Sequence, residues 1–163
     1  MYKKQFETGC CERFNPKPWQ NKIIIWKNKS FVKDRVMCFF HIPLNFGYKV
    51  VKNMKLIDKA NAKSKYQMML TDSTSLFGMD IYIAVKEKAK KIKGAKIAFI
   101  SGTFLTKVFE GPYSNTGKWA KEMENYVKRK KKKMKKLYFS YTTCPRCAKI
   151  YGKNYVVLFA KIK

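Results

Sequence analysis

Acidic side chains are scarce: 10 Asp and Glu stand against 37 Lys and Arg in 163 residues, a formal net charge of +27. Histidine occurs once, at His41. That single residue excludes a histidine-based metal centre and leaves no spare partner for a conventional triad. No G-x-S-x-G elbow is present, and the glycines of SGTF and GKW lack the rest of a P-loop or dinucleotide fingerprint. No nucleotide cofactor is therefore indicated. Apolar runs such as KIIIW and VVLFA are far too short to span a bilayer. The N-terminus carries no apolar signal-peptide core, and the five cysteines are odd in number. Together these features point to a reducing cytoplasm rather than a disulfide framework.

Arginine is also rare, limited to Arg13, Arg35, Arg129 and Arg146. Bidentate recognition of bases and phosphates favours Arg, whereas Lys is a hydrated point charge. Most of the charge reads as a solvated lysine surface, with non-specific nucleic-acid contact as the alternative. Hydrophobic residues make up 46% and aromatics 15%, enough for a real core.

Residues 1–20 read as irregular, with Pro16 and Pro18 as punctuation. KIIIW, KSFV and RVMCFFHI read as strand pieces over 22–42. Val50, Met54 and Ile57 follow helical spacing between Phe46 and Ala60. Two strands follow, at 66–73 and 79–87, then a polar linker and a strand over 96–111 bent at Gly102. A second helix starts near Thr116, with Trp119, Met123, Tyr126 and Val127 on one face, and the run 128–136 completes its last turns. Strands at 137–143 and 154–162 flank a CPRC connection.

The order strand, helix, strand, strand thus occurs twice. Phe40–Met54 laid over Phe109–Met123 without a gap gives identities at Phe40/Phe109, Pro43/Pro112, Lys49/Lys118, Lys52/Lys121 and Met54/Met123. The expectation is an α+β fold: a duplicated strand–helix–strand–strand module, an antiparallel sheet, two helices on one face and a ligand groove on the other. The domain would span residues 33–163 as two pseudo-repeats, about 33–87 and 96–163. Residues 1–32 would be an N-terminal extension packed on it.

The duplicated module, and VFEGPY leading into a helix with a Trp, resemble the GyrI-like small-molecule-binding domains, in a stand-alone branch often labelled hydrolase. The resemblance implies an aromatic-lined groove between the halves, with a buried glutamate facing hydrophobic, planar or cationic small molecules. It also implies that some members hydrolyse alkylating compounds. Glu110 is the matching acid, and Phe40, Phe109, Tyr113, Trp119, Tyr82 and Tyr141 are the expected ligand-binding aromatics.

Read on its own chemistry, an acid among apolar strand residues is costly to bury unless a ligand or a cation compensates it. Glu110 is accordingly the candidate acid/base or counter-charge, with pairing to a lysine at a strand end as its structural alternative. His41, aligned with Glu110 in the repeat, is either a second polar group in the groove or a partly buried structural histidine. Cys10, Cys11, Cys144 and Cys147 offer four sulfurs at spacings that zinc accepts. Unligated thiols, a structural zinc and redox work are the alternatives there, and no other cofactor is required. Cys38 reads as core packing.

Overall fold

The structure is a computed structural model that describes residues 8–87 and 89–163, the side chains of residues 73 and 74 excepted. Residues 1–7 of the expected irregular segment, and Lys88 of the expected linker, lie outside the described residues. The chain forms two compact units, the first over Trp26–Gly102 and the second from the residues up to Ile25 together with Thr103–Lys163.

In the first unit, β1 (Lys22–Phe39) enters from residues before Trp26, turns at Phe40-His41 into the short β2 (Ile42–Pro43), and is followed by α1 (Phe46–Lys59), β3 (Met69–Ser75) and β4 (Gly78–Ala84). The antiparallel order is β2-β1-β4-β3. Expected as three pieces, residues 22–39 form one continuous strand. Lys27 and Asn28, between the first two pieces, are carried through it: Asn28 adopts a positive φ of 50° and its N–H donates to Ser101 Oγ at 2.8 Å. An extension ending at residue 32 would therefore end inside β1. α1 buries Ile57, with Met54 and Leu56, against Val32 and Ile83, and sets Phe46 and Val50 against Val36 and Ile81. Asn45 makes no side-chain cap at the start of α1. Its Oδ1 instead accepts the Met37 N–H at 2.9 Å, tying the helix start to β1.

The second unit holds β5 (Lys96–Glu110, from Thr103), a 3₁₀ turn (Tyr113–Asn115), α2 (Thr116–Arg129), β6 (Lys136–Tyr141), α3 (Pro145–Tyr151) and β7 (Tyr155–Lys161). Its antiparallel order is β6-β7-β5. In both units the first strand pairs with the last, so the repeat is legible in the pairing as well as in the order. α2 carries the expected face: Trp119, Met123, Tyr126 and Val127 bury against Leu105, Phe109, Val156 and Leu158.

Two expectations are corrected here. α2 ends at Arg129, and residues 130–135 form a turn and loop rather than further helix, since Lys131 takes a positive φ of 54°. The CPRC segment opens a helix, α3, with Cys144 as its extended N-cap and Pro145 at the first helical position. Gly152, at φ 68°, ends it in the left-handed region that glycine adopts without penalty. Among the described residues no helix is long and apolar enough to cross a membrane.

The face turned away from α2 carries Thr106, Val108 and Glu110 of β5, each level with Phe159, Val157 and Tyr155 of β7 in turn. Residues of the N-terminal segment cover that face. Trp19 meets Phe159 edge-on at 5.6 Å, Phe14 lies 5.6 Å from Tyr155, and Thr106 Oγ1 donates to the Trp19 carbonyl at 2.6 Å. In this unit, the face expected to be free for a ligand is occupied by the chain's own aromatics.

Candidate functional site

On the first unit, strand alternation places Phe31, Lys33, Arg35, Met37 and Phe39 on the face of β1 away from α1. Register then fixes their neighbours. Lys33 stands opposite Tyr82, Arg35 opposite Asp80, and Asp80 in turn opposite Asp72 of β3. Arg35–Asp80–Asp72 is thus one row across three strands. Both carboxylates are buried, Asp72 at 7% and Asp80 at 6% exposure, in a chain with only ten acids. Like charges directly opposite on a sheet destabilise it, and burial raises that cost. Asp80 is compensated by Lys33 Nζ at 3.0 Å and by an Arg35 guanidinium nitrogen at 3.3 Å. Gly78 makes room for that guanidinium, since a Cβ there would lie 2.1 Å from an Arg35 terminal nitrogen. The Asp80 hydrogen bond is the main reason Lys33 is held above its usual range; burial opposes it and Tyr82 adds to it.

One end of this face is apolar and open. Phe39, Phe40 and Phe77 are each more than half exposed, as is Met37. Their rings form a chain, Phe39–Phe40 at 4.9 Å and Phe40–Phe77 at 5.8 Å, all edge-on. Phe40 and His41 occupy a two-residue hairpin turn with φ of 46° and 67°. Asn and Gly are the usual occupants of such a turn, and a bulky residue there stores on the order of 1–3 kcal/mol of strain. The fold tolerates that strain and in return displays an aromatic ring at the tip. A cleft of about 420 Å³, within the usual size range for ligand sites, opens beside the charged row and is walled by Lys33, Arg35, Asp80, Lys52 and Lys96 among others.

The expected site residues are dispersed. Phe40 joins the exposed cluster, and His41 is exposed at the turn rather than partly buried. Tyr82 is buried edge-on to Phe31 at 6.3 Å, with the Lys33 ammonium 5.4 Å over its ring. In the second unit Phe109 and Trp119 stack at 5.7 Å within the core under α2. Tyr113 and Tyr141 are half-buried, edge-on at 5.3 Å, and the Tyr113 hydroxyl donates to the Thr143 carbonyl at 3.1 Å. Glu110 is the last residue of β5 and is exposed, so a carboxylate buried among aromatics does not describe it. It lies level with Tyr155, and Lys153 is held above its usual range by Tyr155 first and by Glu110 with it. Sequence reasoning missed Asp72 and Asp80, whose partnership exists only through strand register.

The four cysteines do converge. Cys10, Cys11, Cys144 and Cys147 place their sulfurs within 4.8 Å of one another. Thr8 Oγ1 accepts the N–H groups of Cys10 at 3.4 Å and Cys11 at 3.3 Å, folding residues 8–11 into a tight turn helped by the positive φ of Gly9. The Cys144 N–H donates to Cys11 Sγ at 3.4 Å. Burial pushes the Cys11 thiol up to about 12, whereas the Thr8 hydroxyl beside Cys147 draws that thiol down to about 7.

Compared with known proteins, the chain matches the profile of the family described as bacterial hydrolase over residues 1–162. None of the curated proteins matches it in sequence. Among solved structures, the C-terminal domain of EcmrR is similar with a TM-score of 0.68 at 12% identity, covering 89% of this chain and 98% of that one. SAV2435, in a structure bound to tetraphenylphosphonium, is similar with a TM-score of 0.54 at 12% identity, covering 87% and 93%. The fold is GyrI-like.

Proposed function

The chain belongs to this bacterial hydrolase family, and on its GyrI-like fold we propose that it binds a hydrophobic, planar or cationic small molecule on the first unit. One observation carries the reading. An exposed chain of phenylalanine rings adjoins a face that also holds two buried carboxylates. Flat rings supply area and cation–π attraction, and a buried carboxylate acts as counter-charge in a medium that screens it little. The lipophilic cation bound to SAV2435 is a compound of this chemistry. Surface lysines would repel such a cation at long range, so the two carboxylates held locally in the Arg35–Asp80–Asp72 row matter more than the net charge.

Fluorescence titration with tetraphenylphosphonium and with a neutral planar dye tests this. Phe40→Ala weakens both ligands about tenfold, since a ring contact of this kind is worth roughly 1–2 kcal/mol. Asp72→Asn weakens only the cation, by a similar factor. Loss of neither, or no binding by the wild type, would remove the reading. Hydrolysis is the finer proposal, on the second unit and apart from that binding face: Glu110, exposed at the end of β5, takes a proton from the water that attacks an ester carbonyl, and the proton passes to the departing alkoxide. Glu110→Gln then abolishes turnover of an ester dye and leaves its affinity unchanged.

A second reading rests on the end of α2 and the loop after it, where Lys128 to Lys133 and Lys135 are all cationic and exposed. This segment suits non-specific contact with a polyanion. Retardation of duplex DNA at low salt should vanish as salt rises, with a log–log slope near −0.9 per phosphate contacted. A salt-independent signal, or none at low salt, sinks it.

A further inference from the structure

We propose that Cys10, Cys11, Cys144 and Cys147 bind one zinc ion as four thiolates, and that this ion clasps the N-terminal segment onto α3. Geometry carries the inference. Tetrahedral zinc with bonds of about 2.3 Å sets its sulfurs about 3.8 Å apart. Here Cys10 Sγ lies 3.6 Å from Cys11 Sγ and 3.9 Å from Cys144 Sγ, and the whole set fits within 4.8 Å. That space suits a single ion. An iron–sulfur cluster interposes several atoms between its thiolates and needs a wider spread. An all-sulfur tetrahedral set selects zinc among the common single divalent ions, and hard cations such as magnesium and calcium prefer oxygen.

The backbone is prepared for the task at both ends. Adjacent cysteines are awkward chelators in extended chain, but the Thr8–Gly9 turn brings both sulfurs to one side. Cys144 is the N-cap of α3 and Cys147 its third residue, so both fall on the same side of the first turn. The Cys144 N–H on Cys11 Sγ is the kind of outer bond that orients a thiolate and stabilises its charge. The Tyr151 hydroxyl donates to the Cys11 carbonyl, and the Arg13 guanidinium lies 4.7 Å over the Tyr151 ring, closing the site from the far end of α3. As each Zn–S bond forms, the thiol releases its proton to water, leaving a centre of charge −2. A chain of net charge +27, with Arg13, Arg146 and Lys149 nearby in sequence, favours such a centre.

The clasp joins residues 134 positions apart. It also fixes the segment that lays Phe14 and Trp19 over the β5–β7 face. Losing the ion should free those aromatics while the strand pairings within each unit persist.

Metal analysis of the full chain, purified without chelator or added metal, should return one zinc per chain. Cys10→Ser and Cys147→Ser should each leave less than about a tenth of that, while Cys38→Ser keeps it all. If a variant fails to fold, cobalt titration of the metal-stripped wild type decides instead, through the intense visible bands of a tetrahedral cobalt thiolate. Stripping should also raise the accessibility of Trp19 to a quencher, with Trp19→Phe identifying the signal. Stoichiometric iron, a Cys10–Cys144 disulfide in protein kept under reducing conditions, or absence of both zinc and the cobalt spectrum would overturn the proposal.

Discussion

Phe159→Ala lowers the stability of the chain by about 3–5 kcal/mol, the cost of emptying a phenylalanine site in a packed core. Phe159 is 1% exposed in the middle of β7, flanked by Thr106 of β5 and Tyr138 of β6. Its ring meets Trp19 at 5.6 Å and Phe104 at 6.5 Å. Strand pairing on both sides of β7 prevents the backbone from collapsing into the void, so the loss should fall at the upper part of the range. For a domain of this size each kcal/mol moves the melting temperature by about 2–4 °C, so the fall is on the order of 10 °C. The same substitution removes the floor on which Trp19 rests, and the Trp19 emission should shift to the red before the main transition. A cost below about 1 kcal/mol would show that the aromatics of the N-terminal segment are not part of this core.

The two halves, both helices and the strands around them were legible because each rests on local periodicity. Val50, Met54 and Ile57 mark α1, and Trp119, Met123, Tyr126 and Val127 mark α2, through spacing alone. α3 was legible too and was overlooked: Pro145 at the first helical position and Gly152 past the last are ordinary start and stop signals. The misreading of Glu110 has a different cause. Its neighbour Phe109 is buried under α2, but alternation turns Glu110 to the other face, and the strand ends there. Apolar neighbours in sequence are not apolar neighbours in space.

Asp72 and Asp80 could not be read as a pair at all. They sit eight residues apart across a hairpin whose register is disturbed between Ser73 and Ser75, and only the observed pairing sets them face to face. The cysteines lie between these cases. Four sulfurs at suitable spacing were evident, whereas the turn that makes two adjacent cysteines usable depends on Thr8 bonding to the backbone.

Asp34→Asn should cost about 1–2 kcal/mol at neutral pH, and the cost should fade in acid. Asp34 lies on the α1 face of β1, where its carboxylate accepts Asn53 Nδ2 at 2.8 Å and Lys49 Nζ at 3.0 Å. Burial resists ionisation of this carboxyl, but those two bonds, with the Arg35 backbone N–H at 2.8 Å, outweigh it and hold it below the usual carboxylate range. Because the folded value lies below the unfolded one of 3.8, the native state favours the ionised form. Its contribution is complete above the unfolded value and disappears as pH falls through the folded one. Denaturant unfolding of both proteins at pH 7 and at pH 3 checks the sign: the gap must shrink in acid. A gap that widens would mean that the amide loses packing rather than charge. Asn53 is itself 2% exposed and keeps its bond to the Lys49 carbonyl within α1 at 2.8 Å, so its amide stays satisfied, while the Met37 N–H on Asn45 Oδ1 still ties α1 to β1 once the ion pair is removed. The expected loss therefore reports the carboxylate, which neither a truncation to Ala nor a change at Lys49 would isolate.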